Sequence, residues 1–355
     1  MSYAVKPLRL DEHREALARL WTENMSDGRI SALVPSRMRW LYEQGPDGPP
    51  TTLLCVVAES GDVVGCGSYF PRPTWIDGRR VQAGVLCDFA VTRNHRVLGA
   101  ALAIQRGLVD AARGAGLELL YGYPNEKSLA VFKRIGYRVV GDTTTWVLPL
   151  RSGYKVRDVL PWRWAARLAA IPVDVGLALA DRLRRLTIRM PARDELPAAL
   201  DGRADALWAR ARAGYGIAGE RSRAYLEWRY ARFPTIEHRF FGTFSSGEDR
   251  LAGYAVFTVE AGRAVVRDLF ADREETSEEA LLLALAHRLR SEEVDALALS
   301  HFGNPEFGER LRGAGFLRRP GSRPLVLHPD VVPEGLRARA LEPANWFMLD
   351  GELDI

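Results

Sequence analysis

The sequence of 355 residues predicts an α/β protein made of two similar halves. Short apolar runs bounded by turn residues alternate with segments of helical spacing, the pattern of strands interleaved with helices. A set of landmarks then recurs in order: Trp40-Leu41-Tyr42 with Trp228-Arg229-Tyr230, Asp88-Phe89 with Asp268-Leu269, Asn125 with Asn304, and Gly136-Tyr137 with Gly315-Phe316. The spacing agrees as well: 37 residues separate Asp88 from Asn125 and 36 separate Asp268 from Asn304, and each Asn precedes its Gly by 11. Matched intervals of this kind mark an internal duplication.

Each half shows the same element order: helices, a hairpin, a strand, a helix, a strand and a short final helix. The first hairpin is expected over residues 53–59 and 63–70, turning at Ser60-Gly61-Asp62; the second over 239–244 and 252–259, turning through 245–249. Residues 85–91, Val-Leu-Cys-Asp-Phe-Ala-Val, form a buried strand that breaks at Thr92-Arg93-Asn94-His95. A helix opens at Arg96, and Leu98, Ala101, Leu102, Gln105, Leu108, Val109 and Ala112 continue it at helical spacing. The domains are expected at 1–150 and 196–330, joined by a helical connector over 151–195 and followed by a tail over 331–355.

The strand–turn–helix step at 88–101 carries the chemistry. A helix N-terminus leaves backbone N–H groups unpaired and suits an anion. Gly99 lets a phosphate approach the backbone, and Arg93, His95 and Arg96 add positive potential. At the matching place the second half has Asp272, Glu274, Glu275, Glu278 and Glu279, which would repel a pyrophosphate. The first half is therefore expected to bind the phosphate ligand and the second to keep the fold or wall one side of a cleft.

Arg96, Gly99 and Ala101 resemble the Gln/Arg-x-x-Gly-x-Gly/Ala loop of the GNAT superfamily of N-acetyltransferases. Downstream, residues 125–137 resemble the family's Asn-x-x-Ala-x-x-x-Tyr-x-x-x-Gly-Phe block. The resemblance implies two tandem GNAT-like domains, each a mixed, mostly antiparallel sheet flanked by helices, the second copy degenerate. It implies acetyl-CoA, or another acyl-CoA, as co-substrate, held by Phe89, Ala90, Val91, Arg96, Val97, Leu98, Gly99, Ala100, Ala101 and Asn125. No metal is expected.

For the chemistry, Asp88 is the candidate base, with a structural ion pair or cap as the competing role, which Asp268 in the second half favours. The family's usual proton donor, a tyrosine seven residues after the Asn, falls on Phe132, which cannot donate. Tyr123, Ser128 or Tyr121 could substitute, or water could protonate the leaving thiolate. Arg37, Trp40, Tyr42 and His301 are the candidates for contact with the acceptor. The Trp-x-Tyr repeat also makes Trp40 a core residue, and a lone histidine is more often an ordinary hydrogen-bonded one. The expected activity is N-acyl transfer, acetyl to an amine of a sugar or other small molecule, by direct attack in a ternary complex. The alternatives are a longer acyl or aminoacyl donor, or a non-catalytic acyl-CoA sensor or scaffold.

Bulk composition limits the partners. Lys and Arg number 49 against 45 Asp and Glu, a net charge of +4, too balanced for a nucleic-acid binder. Cys55, Cys66 and Cys87 have neither disulfide-framework nor zinc spacing, and no signal peptide is legible, so a cytoplasmic, reducing setting is expected. Residues 159–186 mix tryptophan, leucine and arginine, with Pro172 expected to divide them into two helical pieces. Their apolar face is expected to pack across both halves, the alternative being an anionic membrane surface. Oligomeric state is not legible.

Overall fold

The computed structural model describes residues 2–24, 30–96, 98–152, 163–247 and 249–352. The first half runs β1 (Tyr3–Pro7), α1 (Leu10–Asn24), α2 (Ile30–Glu43), β2 (Thr51–Val57), β3 (Val63–Pro71), β4 (Thr74–Ile76), β5 (Arg79–Val81), β6 (Ala83–Val91), α3 (Leu98–Gly114), β7 (Leu119–Gly122), α4 (Glu126–Ile135) and β8 (Arg138–Pro149). After α5 (Arg163–Thr187) come β9 (Arg193–Glu195), α6 (Gly202–Ala211), β10 (Ile217–Gly219) and α7 (Arg223–Leu226), which runs into a π-helical turn at Glu227–Ala231. Then follow β11 (Arg239–Phe244), β12 (Leu251–Glu260), β13 (Arg263–Ala271), α8 (Glu278–Ser291), β14 (Ala296–Gly303), α9 (Pro305–Gly313), β15 (Leu317–Leu327), α10 (Glu334–Leu341) and β16 (Phe347–Leu349).

Both predicted hairpins form, and both halves repeat the hairpin–strand–helix–strand–helix–strand order. One sheet of 13 strands spans the protein, in the order β1-β2-β3-β6-β7-β15-β8-β14-β13-β12-β11-β9, with β16 added on β14. Most pairs are antiparallel; β6 with β7 and β13 with β14 are parallel. The last strands are exchanged: β15 lies between β7 and β8, and β8 pairs with β14. Each half's sheet is thus completed by the other's final strand, so the sheet runs without a break across the expected sequence boundary at 150.

The repeated tryptophans sit where the halves meet. Trp40 and Trp228 stack at 4.6 Å and 8°. The Trp40 Nε1–H donates to the Trp228 carbonyl at 2.7 Å, and the Trp228 Nε1–H returns the bond to the Trp40 carbonyl at 2.9 Å. Both rings are buried and both polar tips satisfied, the arrangement that a tryptophan in a core requires. A reciprocal contact of equivalent residues is the geometry of a two-fold relation between the halves. A second seam is the small sheet β10-β4-β5, whose β4–β5 hairpin turns at Asp77-Gly78, both with positive φ. That Asp-Gly turn is a strong hairpin signal, overlooked in the sequence.

Three expectations for the chain outside the domains are corrected. Pro172 does not divide the connector: one helix, α5, runs through it. Nor is the apolar face of α5 covered: Ile171, Val175, Leu179, Leu183 and Leu186 are each exposed by more than half. These residues recur every three or four positions and so share one stripe. The C-terminal segment, expected as a tail, is built into the core. Trp346, Phe347, Met348 and Leu349 are buried, and β16 pairs His301↔Leu349, Phe302↔Met348 and Gly303↔Phe347. Gly303 has φ 130°, and a Cβ there would meet the Trp346 carbonyl oxygen at 1.7 Å, so only glycine admits the segment.

Just beyond β16, Glu352 ties three stretches of chain together. It accepts from Arg72 through Nε at 2.9 Å and Nη2 at 2.6 Å, and lies 3.4 Å from Arg221. Arg221 in turn pairs with Asp268 at 3.1 Å, and Tyr254 donates to Asp268 at 2.9 Å. Arg72 is 1% exposed and Arg221 0%. Burial alone would raise the Glu352 pKa, but Arg72 and Arg221 outweigh it and hold the carboxyl below its usual range.

Candidate active site

β6 and β7 run parallel only over Ala83↔Leu119, Gly84↔Leu120 and Val85↔Tyr121, and then part. From Leu86 onward β6 pairs on one side only, with β3, so its other edge faces an opening. A bulge lies here: the β3 register jumps between Cys66↔Ala90 and Ser68↔Cys87, and Asp88 takes φ 52°. A bulge re-aims side chains and leaves backbone groups unpaired. The opening is a cavity of about 380 Å³ lined by Leu86, Cys87 and Phe89 from β6, Tyr123, Asn125, Ser128 and Phe132 from β7's end and α4, and Arg323 from the exchanged strand β15.

Of the cofactor residues expected from the sequence, Phe89 and Asn125 line this cavity. Phe89, on β6, faces the cavity, and Ala90 and Val91 continue the strand toward α3. Arg96 folds back, its Nε donating to the Val91 carbonyl at 3.2 Å and its Nη2 to Asn24 at 3.0 Å. Val97 lies outside the described residues; Leu98 begins α3, Gly99 is exposed on its first turn, and Ala100 and Ala101 are buried beneath it. A Cβ on Gly99 would meet only the Tyr3 ring, at 3.6 Å and 3.7 Å, which is ordinary contact. Protein packing does not require this glycine, and the space before it is open. Asn125 caps α4, accepting from the Ser128 N–H at 2.9 Å, as Asn304 caps α9 by accepting from the Glu306 N–H at 2.8 Å.

The candidate catalytic residues separate. Asp88 does not line the cavity; its side chain is 1% exposed and pairs with Arg37 at 2.6 Å. That is the structural role weighed in the sequence, and the Asp268–Arg221 pair repeats it. Tyr123 does line the cavity, and its hydroxyl is buried with no hydrogen-bond partner among the described residues. Burial, then Tyr121, Glu352 and Asp350, push its pKa well up, so the phenol keeps its proton at neutral pH and has it to give. Ser128 is at the cavity too, but its hydroxyl donates back to Asn125. Phe132 is packed edge-on against Phe89 at 5.9 Å and is part of the wall.

The acceptor candidates fall elsewhere. Arg37 is bound to Asp88 and lies 4.2 Å over Trp21; Trp40 is core; Tyr42 is buried and hydrogen-bonds Thr52 at 2.9 Å. His301 is buried against Phe307 at 4.7 Å and borders a separate cavity of about 180 Å³ with Asp142 and Trp146. Burial, then Arg310 and Arg273, lower its pKa to about 3, so it is neutral. In place of these, the second half brings Arg323 to the cavity. Its position in the sequence gave no sign of this, because strand exchange is invisible to local pattern.

The second half has the same parting of parallel strands: β13 and β14 pair only over Arg263↔Ala296 to Val266↔Leu299. There β16 occupies the far part of β14, and the N-terminus of α8 is served by Ser277 and by a buried Glu278 paired with Arg273 and Arg310. Of the carboxylates that the sequence offered as repulsive to phosphate, Glu278 and Glu279 thus sit in the first turn of the helix, paired with arginines, while Asp272 and Glu275 pair with Arg210 and Arg250. Among the described residues no metal-binding cluster occurs, and no helix is long and apolar enough to cross a membrane.

A one-sided strand bulged beside a helix N-terminus, with a cavity at the parting of two parallel strands, is the framework of an acyltransferase domain. Residues 14–137 match the acetyltransferase (GNAT) family model. Solved structures share the fold across nearly the whole chain. A conserved protein from Enterococcus faecalis V583, described as a probable N-acyltransferase, is 12% identical with TM-score 0.64, over 92% of this chain and 72% of that one. A GCN5-related N-acetyltransferase from Anabaena variabilis is 13% identical with TM-score 0.63, over 92% and 72%. Eis1 from Mycobacterium abscessus is 17% identical with TM-score 0.55, over 96% and 76%. At these identities the likeness is one of fold. No curated protein matches the sequence.

Proposed function

We propose that the protein is an acyl-CoA-dependent N-acyltransferase that moves acetyl from acetyl-CoA to an amine of a small molecule, with one active site, in the first half. The observation that carries this is the cavity at the parting of β6 and β7, lined in part by β6, the strand that leads to the N-terminus of α3. The free edge of Phe89, Ala90 and Val91 suits a pantetheine arm, and the first turn of α3 with Gly99 suits the pyrophosphate. The amine nitrogen bonds to the acyl carbon as the carbon–sulfur bond breaks. The sulfur leaves as a thiolate and takes the Tyr123 proton, while the amine's proton passes to water. Backbone N–H groups left unpaired by the bulge would polarise the carbonyl. A sensor or scaffold role draws on Phe132 at the usual donor position; Tyr123, buried, protonated and facing the same cavity, answers that deficit.

The test is calorimetric titration of acetyl-CoA and CoA into the wild type and Gly99→Glu. One site is expected in the wild type and none in the variant, whose melting temperature stays the same because packing does not need Gly99. No binding to the folded wild type overturns the proposal, and two sites overturn the assignment of a single competent half.

A further inference from the structure

The acyl cavity does not end at Arg323. The same side chain borders a second cavity, of about 140 Å³, together with Arg229, Tyr230, His238, Arg267 and Asp350. Tyr230, Phe233, Ile236 and His238 line both this cavity and a third, of about 480 Å³. Every residue of these two outer cavities comes from the second half or the C-terminal segment. Arg323 therefore stands between the acyl cavity and space lined by the other half.

The charge in the middle cavity is uneven. Arg229 is only 7% exposed, sits on the π-helical turn, and donates through Nε to the Gly351 carbonyl at 3.1 Å. Its guanidinium lies 5.2 Å from the Phe233 ring and 5.9 Å from the Trp40 ring, and among the described residues it has no carboxylate partner. Arg323 is exposed and likewise has no carboxylate partner among the described residues. Arg267 is paired with Asp350. His238 adds no charge: burial, then Arg229 and Arg267, lower its pKa to about 4. Three guanidinium groups thus face one carboxylate. Glu352, already shared by Arg72 and Arg221, attracts Arg229 without bonding to it; a buried guanidinium with no hydrogen-bonded carboxylate among the described residues is costly to hold, and a ligand anion would offset that cost with paired hydrogen bonds. π-Helical turns in short helices also concentrate at functional sites.

We infer that the middle cavity is the anion subsite of the acceptor: the amine that this protein acylates carries a carboxylate or phosphate group, which Arg229 and Arg323 hold. Held there, the acceptor's amine lies toward the acyl cavity, and Asp350, which lines the middle cavity, can take the ammonium before its proton is lost to water. The third cavity takes the rest of the molecule. The inference rests on the acyltransferase proposal for the site.

Ligand-observed saturation-transfer NMR tests it with matched pairs of amines: γ-aminobutyrate against n-butylamine, and O-phosphoethanolamine against ethanolamine. Each is titrated into the full chain with and without CoA. The anionic member of at least one pair is expected to bind about tenfold or more tighter than its neutral partner, the worth of one charge-assisted contact. The pair that shows the preference tells carboxylate from phosphate. Arg229→Met, and separately the exposed Arg323→Met, are expected to remove the preference. Equal binding of both members in both pairs, no binding of any, or a preference that survives both substitutions overturns the inference. Calorimetry of CoA on the same proteins separates the two claims. CoA binding without an anion preference sinks only the acceptor class, and an anion preference without CoA binding sinks only the acyltransferase proposal.

Discussion

Glu352→Gln is the substitution whose cost the structure defines best. It removes one negative charge from between Arg72 and Arg221, which are 1% and 0% exposed. Arg72 keeps the Glu220 carbonyl at 2.6 Å and one amide oxygen, and Arg221 keeps Asp268. Removing one partner of a buried ion pair costs about 3–5 kcal/mol. Because the glutamine oxygen still accepts from Arg72, the lower end, about 3 kcal/mol, is the expected value. With an unfolding entropy of about 2.1 cal/mol/K per residue, the full chain has about 0.75 kcal/mol/K, so the melting temperature falls by about 4 °C. Differential scanning calorimetry of the two proteins at pH 7 measures it. The pH dependence gives a second check. The folded pKa of Glu352 is depressed, so its contribution is complete above the unfolded glutamate pKa and disappears as pH falls through the folded value. Asp268, raised by burial, runs the opposite way, but it is present in both proteins. The gap between wild type and variant should therefore narrow below pH about 4.5, near the unfolded glutamate pKa. A shift under about 1 °C at neutral pH would show that Glu352 is not the charge on which the two arginines depend.

Three further outcomes are expected. Tyr123→Phe should lower kcat for acetyl transfer by about 10²-fold while leaving the calorimetric affinity for acetyl-CoA unchanged, as loss of a general acid does; an unaltered kcat assigns the proton to water. Trp40→Ala removes a stacked ring and the hydrogen bond that its Nε1–H donates, and should cost about 3–5 kcal/mol in urea unfolding, with Trp228→Ala costing a similar amount. The double variant should cost less than the sum, and simple additivity would contradict the direct coupling. Leu179→Ser and Leu183→Ser, each on the open stripe of α5, should change stability by less than about 0.5 kcal/mol; a loss of 2 kcal/mol or more would mean that the stripe is covered in solution.

Much of this fold was legible because its signals are local. The hairpins at 51–71 and 239–260, the buried strand at 83–91 and the helix over 98–114 follow from apolar runs, periodicity and turn residues, and the structure places them within two residues of the expected bounds. The duplication was legible through spacing, and so was the asymmetry of the two helix N-termini, since glycine with arginines and a run of carboxylates differ in charge whatever surrounds them. Asn125 and Asn304 as caps were readable for the same reason.

Tertiary structure alone decided the rest. Asp88 looks like a base on a strand beside a ligand, yet the bulge at φ 52° turns it to Arg37, and no local pattern encodes which way a bulge throws its side chain. The exchange of β8 and β15 brings Arg323 of one half to the cavity of the other, a consequence of pairing between strands far apart in sequence. The C-terminal segment reads as a mixed aromatic and acidic tail, but it becomes a strand on β14 and places Glu352 between two buried arginines. Composition and periodicity record what each segment buries. Which partner it buries against depends on long-range pairing, and in this protein that pairing gives one half an open cavity and fills the same opening in the other.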